Sequence, residues 1–489
     1  MENGKKRILF ANFIHDSFLK EVSTLVAEFA ETFHAGYGWK AAKQNINFLI
    51  DFGLVDNPGN LPVFEAESLN WNLNLSNVKI QNTYLGGFLM LVNRTTLGRF
   101  NTIDHHYYYS ILLAYFRKKL LNQNIDLIVF DSTPHMPTDY ALSVAALQLE
   151  IPILYPSRTH IPDRINFRND LIGNAIELNS SKEALSSIDL NADSAWLTRS
   201  TLKPLNAETS LIRFGMLTEL VILIGKFMKS LSYVQTISKL LKENYFKNQY
   251  FRLSRFQAFR QIMNFKIYNL QMKYFFKRNA VDVAEMSGEY VYFPLHYQPE
   301  RSTLPESHAF ADQLSGIILL RSLLPQDIII CVKEHPKQFR EGDLNFRRMH
   351  FRSHFFYNEI LRIPGVVLVK GDTDSRTLVR NAKLVVSSTG SAMWEALRLG
   401  IPCLSLAPNW HSNFHYSPYI VEVEDPQQYL ASAFLVESEK VRRDLEKFVE
   451  NLDPFLVATV DCEFAANFSV IPNGILAENF ANVIKVALK

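Results

Sequence analysis

The chain predicts a two-domain α/β protein in which two doubly wound, mostly parallel sheets face one another across a cleft. Strand-like and helix-like runs alternate over residues 1–195 and again over residues 285–470, the pattern of a parallel sheet wrapped by helices. Two strand-like runs of the second region end in small polar or cationic groups, Lys333-Glu334-His335-Pro336 and Ser387-Ser388-Thr389-Gly390-Ser391. With 489 residues, 47% of them hydrophobic and 20% charged, the chain is too long for one ordinary core and too apolar for disorder.

In the first region the order reads strand 8–13, helix 17–33, strand 46–51, a helix near 107–121, strand 126–130, helix 139–149 and strand 151–155. Residues 196–284 read as a helical, basic insert. In the second region apolar runs at 327–332, 366–370, 384–386 and 403–406 read as strands. Residues 375–381 and 391–399 read as helices between them. No internal repeat or low-complexity run interrupts this order. The residues after Met1 run straight into the first strand, too short an apolar run for a signal sequence. Cys331, Cys403 and Cys462 lie in apolar surroundings without metal-ligand spacing, so buried, reduced thiols in a cytoplasmic protein are expected.

The edge at 387–390 has the clearest chemistry. Gly390 lets backbone approach a ligand, while Ser388 or Thr389 is placed to cap the following helix and leave its first amides facing an anion. Ser387 and Ser391 flank that turn, and Glu395, about one turn further on, suits ribose hydroxyls. At the other edge Lys333 offers a point charge and His335 a donor that can also be protonated, beside Pro336, which stops regular pairing. Together the two edges predict a nucleotide site.

These segments, with Tyr290-Val-Tyr-Phe-Pro-Leu-His296-Tyr-Gln298-Pro-Glu300 before them, resemble the bacterial capsular polysaccharide biosynthesis proteins, a group that includes Kdo transferases and is related in pattern to GT-B sialyltransferases. The resemblance covers residues 285–410. It implies a GT-B fold of two Rossmann-like domains, residues 1–195 taking the acceptor and 285–470 the donor. It also implies that the helix in 471–489 packs back on the first domain. By the same resemblance His335, Ser387 and Ser388 hold the phosphate of a CMP-sugar, with His296, Gln298 and Glu300 in the donor segment. The implied activity is transfer of Kdo or a sialic-acid-like sugar to a cell-surface polysaccharide or its lipid-linked precursor, with no cofactor beyond the donor.

A base or nucleophile is then expected from the first domain. Asp131-Ser-Thr-Pro-His135-Met-Pro-Thr-Asp139 follows a strand and holds three titratable groups; Asp131 leads, because Asp139 also reads as a helix N-cap, and His135 comes third. Asp16, after the first strand, is a rival that also suits a cap. Asp372-Thr373-Asp374 matches the metal-binding D-x-D pattern, yet Asp374 or Ser375 as an N-cap explains it, and no metal is expected.

Residues 226–278 carry twelve Lys and Arg against Glu243 alone, although the whole chain is only +2. Aromatic and aliphatic residues recur between these cations, which suits a helix face resting on an anionic membrane; no recognised RNA module accompanies the patch, so nucleic acid is not an expected partner. The apolar stretch 214–228 is interrupted by Glu219 and Lys226 and is too short to span a bilayer. Two other functions fit the same residues. A UDP- or GDP-sugar enzyme, transferase or 2-epimerase, uses the same serine edge, and a non-catalytic polysaccharide assembly or export partner keeps the fold while binding lipid.

Overall fold

The computed structural model describes residues 5–13, 16–36, 49–55, 69–96, 101–171, 175–177, 255–298, 300–339, 352–452 and 455–488. The first sheet contains β1 (Arg7–Ala11), β2 (Glu31–Gly36), β3 (Ile50–Asp51), β4 (Leu127–Phe130), β5 (Ile153–Arg158) and β6 (Ile165–Arg168), in the spatial order β3-β2-β1-β4-β5-β6. All neighbours are parallel except β5 and β6. The second sheet, β7 (Tyr290–Pro294), β8 (Ile329–Lys333), β9 (Val366–Leu368), β10 (Leu384–Ser387) and β11 (Cys403–Ser405), is wholly parallel and ordered β11-β10-β7-β8-β9. Counted from each domain's own first strand, both sheets follow the order 3-2-1-4-5 of a Rossmann-like half, the GT-B architecture.

Period-two alternation explains why each sheet is covered on both faces. In β1, Leu9 and Ala11 enter one core while Ile8 and Phe10 enter the other. In β7, Tyr290 and Tyr292 face one cluster, and Val291 and Phe293 the opposite one. The first core is closed by helices α1 (Ser17–Ala27), α2 (Leu75–Thr96), α3 (Thr102–Asn122) and α4 (Pro137–Gln148). Helix α5 (Arg255–Asn279) lays Met272, Phe275 and Phe276 on the second sheet's core. The second sheet's crossovers include α6 (Gln313–Leu323), α7 (His354–Arg362), α8 (Ser375–Asn381) and α9 (Ser391–Arg398). Beyond them lie α10 (Pro426–Leu435) and α11 (Ser438–Glu450). The final helix, α12 (Asn473–Ala487), buries Leu476, Phe480 and Ile484 against Phe13, Phe18 and Phe167 of the first sheet's core. Phe480 meets Phe167 edge-on at 4.9 Å.

Several boundaries differ from those read off the sequence. The helix expected over 17–33 stops at Ala27, and Glu31–Gly36 becomes β2, paired residue by residue with β1. The apolar spacing of Val26, Phe29 and Phe33 continued the helical period, but a parallel neighbour for β1 outweighed it. Of the strand expected over 46–51, residues 49–51 are described, and Ile50–Asp51 form β3. Helix α2 and strand β6 had no counterpart in the sequence reading. The apolar stretch 214–228 and the basic residues from 226 to 254 lie outside the described residues, as does His15. Among the described residues no helix is long and apolar enough to cross a membrane.

One loop of the second domain joins the two cores. Leu304 and Ala311 are buried in the first domain's cluster, and Thr133 donates to Glu306 at 2.7 Å. His308 Nε2 lies 3.0 Å from the Leu171 carbonyl oxygen. A second join is made where Arg168 donates to the Pro408 carbonyl and the Trp410 indole donates to His160 Nδ1 at 3.2 Å.

Candidate functional site

In an open α/β sheet the crevice forms where the strand order reverses. The first sheet reverses between β1 and β4. Asn12 follows β1 and Asp131 follows β4, and both line a cavity of about 390 Å³ with Asp16, Ser132, His135, Asp139, Arg158, Asp461, Cys462 and, from the second domain, Arg301. The second sheet reverses between β7 and β10. There His296, just past β7, places Nε2 2.9 Å from Oγ of Ser387, the last residue of β10.

The four carboxylates of the first cavity have separate duties. Asp16 is the N-cap of α1, accepting from the Leu19 amide at 3.1 Å, and both of its oxygens also accept from the Glu463 amide. Burial raises its pKa. Asp139 is not itself the cap: Met136 holds that position, and Asp139, three residues in, accepts from the Met136 amide at 2.6 Å. Burial, and then the charge of Asp131, push its pKa up to about 8. Asp461 holds Arg158 through Nε at 2.5 Å, and the same guanidinium donates to Cys462 Sγ at 3.3 Å. Asp131 accepts from the Ser132 hydroxyl at 3.2 Å, and burial moves it up to about 6. A carboxylate that titrates near 6 is ionised at neutral pH yet basic enough to take a proton. His135 lies 2.9 Å through Nδ1 from the Thr133 carbonyl, so Nδ1 carries a proton and donates to it.

At the second edge both histidines are neutral. Burial lowers His296 to about 4, and burial with the Lys337 charge lowers His335 to about 3. Of the two forms the sequence allowed His335, donor ring or protonated ring, burial favours the neutral donor. Its Nδ1 accepts from the Lys337 amide at 3.1 Å, leaving the proton on Nε2 as the donor. Lys333 does not point at the serine turn: its ammonium donates to Ser375 Oγ at 2.8 Å, at the start of α8, and burial lowers its pKa. Neither Ser388 nor Thr389 caps α9. Gly390 takes the cap position and, having no side chain, supplies no acceptor, while the Thr389 hydroxyl donates to the Ser302 carbonyl at 3.3 Å. The first amides of α9 thus lack a cap oxygen, the condition for anion binding at a helix start. A Cβ on Gly390 would stand 2.9 Å from Ser387 Oγ and 3.3 Å from His296 Cε1, so a side chain there would have to displace the Ser387 hydroxyl.

Other residues expected to touch a donor act as scaffold. Arg352 is wholly buried, pairs with Glu334 at 2.8 Å, and donates to Gln298 Oε1 at 2.5 Å and to the His296 carbonyl at 2.9 Å. Gln298 also accounts for its amide nitrogen on the Ala311 carbonyl. Glu334 further accepts from Tyr357 at 2.6 Å and the His335 amide at 2.6 Å, so one buried cation ties both strand-end loops together. Glu300 is exposed, accepting from Ser302 at 3.4 Å, and Pro336 opens a short 3-10 turn. Glu395 is partly buried on α9, close enough to Tyr292 to influence its hydroxyl. Ser391 begins α9 and is also partly buried. Asp374 caps α8, accepting from the Thr377 amide at 3.0 Å, and among the described residues no cluster of three acids, histidines or thiols could hold a metal.

Sequence reasoning missed Asn12, Arg158, Arg301, Asp461 and the only partly buried Cys462, which it had placed in the interior. Asn12 carried a signal in its position directly after a strand; its φ of 68° and its buried, unpartnered Oδ1 mark the turn. Asp461 carried none, being 303 residues from the arginine it holds.

No protein-family model matches the chain, and no curated protein matches it. Among solved structures it is similar to UDP-GlcNAc 2-epimerase from Methanocaldococcus jannaschii, with 14% identity, 91% of this chain and 99% of that one covered, and a TM-score of 0.22. It is also similar to the S. aureus MnaA–UDP co-structure, at 11% identity, 99% and 97% coverage and a TM-score of 0.26. The glycotransferase of kitacinnamycin matches at 8% identity, 93% and 100% coverage and a TM-score of 0.22. At such scores these likenesses decide nothing about activity, and the fold is read from the chain's own pair of sheets.

Proposed function

We propose that the protein is a metal-independent GT-B glycosyltransferase that uses a CMP-activated ulosonic or nonulosonic acid, Kdo or a sialic-acid-like sugar. The observation that carries this reading is the shared loop between the two switch points. Arg301 lines the Asp131 cavity, the next residue's carbonyl receives Thr389 of the serine turn, and Glu306 receives Thr133. An acceptor bound at one edge and a donor at the other would therefore meet across one short segment.

In the proposed reaction the donor phosphate rests on the first amides of α9 and on the His335 Nε2–H, with Glu395 toward the ribose. Asp131 takes the proton of the acceptor hydroxyl as that oxygen bonds to the anomeric carbon. The bond from that carbon to the phosphate oxygen breaks, and CMP leaves with the electron pair. The acceptor is a cell-surface glycan or its lipid-linked precursor, approached through an anionic membrane surface by the cations of 226–278. Thermal shift across CMP, UDP and GDP, followed by a transfer assay with CMP-sugar acids, tests the reading. Stabilisation by CMP with transfer supports it. Stabilisation by UDP or GDP alone moves it to the other donor classes, and no nucleotide effect with no donor hydrolysis leaves the assembly-partner reading.

A further inference from the structure

We infer that Arg158 and Arg301 form a carboxylate subsite within the Asp131 cavity, a specificity element that recognises the acid group of the donor sugar. This rests on the transferase reading above. The two guanidinium groups come from different domains, one from the end of β5 and the other from the loop after β7, and line the same cavity. Each is anchored through Nε: Arg158 by the buried Asp461 at 2.5 Å, and Arg301 by Glu306 at 3.3 Å. These ion pairs, with Arg158 also donating to Cys462 Sγ, hold both guanidinium groups at the cavity wall, and a planar guanidinium matches a planar carboxylate as a lysine ammonium does not.

The charge balance of the cavity selects among anions. Asp16, Asp131 and Asp461 stand against the two arginines, with Asp139 protonated below about pH 8, so a dianionic phosphate meets more repulsion than a singly charged carboxylate. Position selects further. Arg301 is close enough to Asp131 to favour its ionised form, and in a 2-keto-acid sugar the carboxylate is bonded to the anomeric carbon on which Asp131's partner hydroxyl acts. A neutral hexose donor offers nothing to either guanidinium.

The test compares binding of CMP with binding of a hydrolysis-resistant, fluorinated CMP-N-acetylneuraminate by calorimetry on the full chain. Wild type should bind the sugar nucleotide more tightly than CMP, and Arg301→Gln should remove about tenfold to a hundredfold of that advantage while CMP affinity stays within about twofold. Because Arg158→Gln strands the buried Asp461, Arg158→Lys is measured as well, with its melting temperature; it keeps the charge, loses the fork, and should lose about tenfold. An unchanged ratio in both variants overturns the subsite. If wild type binds no cytidine nucleotide, the transferase reading fails, and free N-acetylneuraminate against its methyl ester then judges the subsite. Preference for the acid that vanishes in Arg301→Gln upholds it, and equal binding of acid and ester overturns it.

Discussion

At the reversal between β1 and β4 the protein gathers four carboxylates, two arginines and a histidine around a cavity of about 390 Å³; at the reversal between β7 and β10 and the neighbouring end of β8 it gathers two neutral histidines, serines and an uncapped helix start. The strand order is the same in both. The contrast shows that topology chooses where a crevice lies, whereas side chains choose which chemistry it performs. A crevice lined by titratable carboxylates suits proton movement. A neutral crevice with exposed amides holds an anion by dipoles, without a competing counter-ion.

The widest gap between the crevices should appear on removing the Asp131 charge. Asp131→Asn is expected to lower kcat/KM by about a hundredfold to ten-thousandfold while leaving CMP affinity intact. Steady-state kinetics beside calorimetry check it, and weakened CMP binding would place Asp131 on the donor side. In wild type the same group predicts an acid limb: activity falls as pH drops through about 6, where the carboxylate gains its proton. Gly390→Ala should act in the opposite manner, weakening CMP by about tenfold or more as the new methyl displaces Ser387 and His296, with little change in the pH profile.

Asp139 separates stability from chemistry. Its folded pKa, about 8, is raised above the ordinary 3.8, so its contribution to stability is full below about pH 4 and is lost as pH rises toward 8. Asp139→Asn keeps an oxygen for the Met136 amide and removes that loss. The variant should therefore gain on wild type between pH 5 and 8, at no more than about 1.4 kcal/mol per pH unit, in paired denaturation curves. The smallest effect is expected from EDTA and from Asp372→Ala, each leaving turnover within about twofold; strict dependence on manganese or magnesium would make the D-x-D pattern functional.

The second crevice was more legible in the sequence than the first because its chemistry is local. Residues 384–391 hold a strand, a turn and a helix start in one stretch, and helix 375–381 was read with its observed ends. Local reading still mistook which atom caps α9, since Thr389 is drawn away by Ser302, 87 residues distant. Around Asp131 the sequence offered the acids but not their partners. Arg158 with Asp461, and Arg301 with Thr133 through Glu306, are meetings of segments far apart in the chain, which no spacing rule brings together.

The packing of α12 has a consequence for how the protein is made. Leu476, Phe480 and Ile484 complete the core begun by Ile8 and Phe10, and Asp461 completes the cavity begun by Asn12. A chain emerging from the ribosome presents its first sheet with one face uncovered until α12 has been synthesised, an interval of roughly a quarter of a minute to a minute at about 5–20 residues per second. During that interval the apolar surface around Phe13, Phe18 and Phe167 has no cover from α12. Nascent chains arrested before residue 476 should therefore bind a hydrophobic dye or a holdase chaperone, and release it once α12 has emerged.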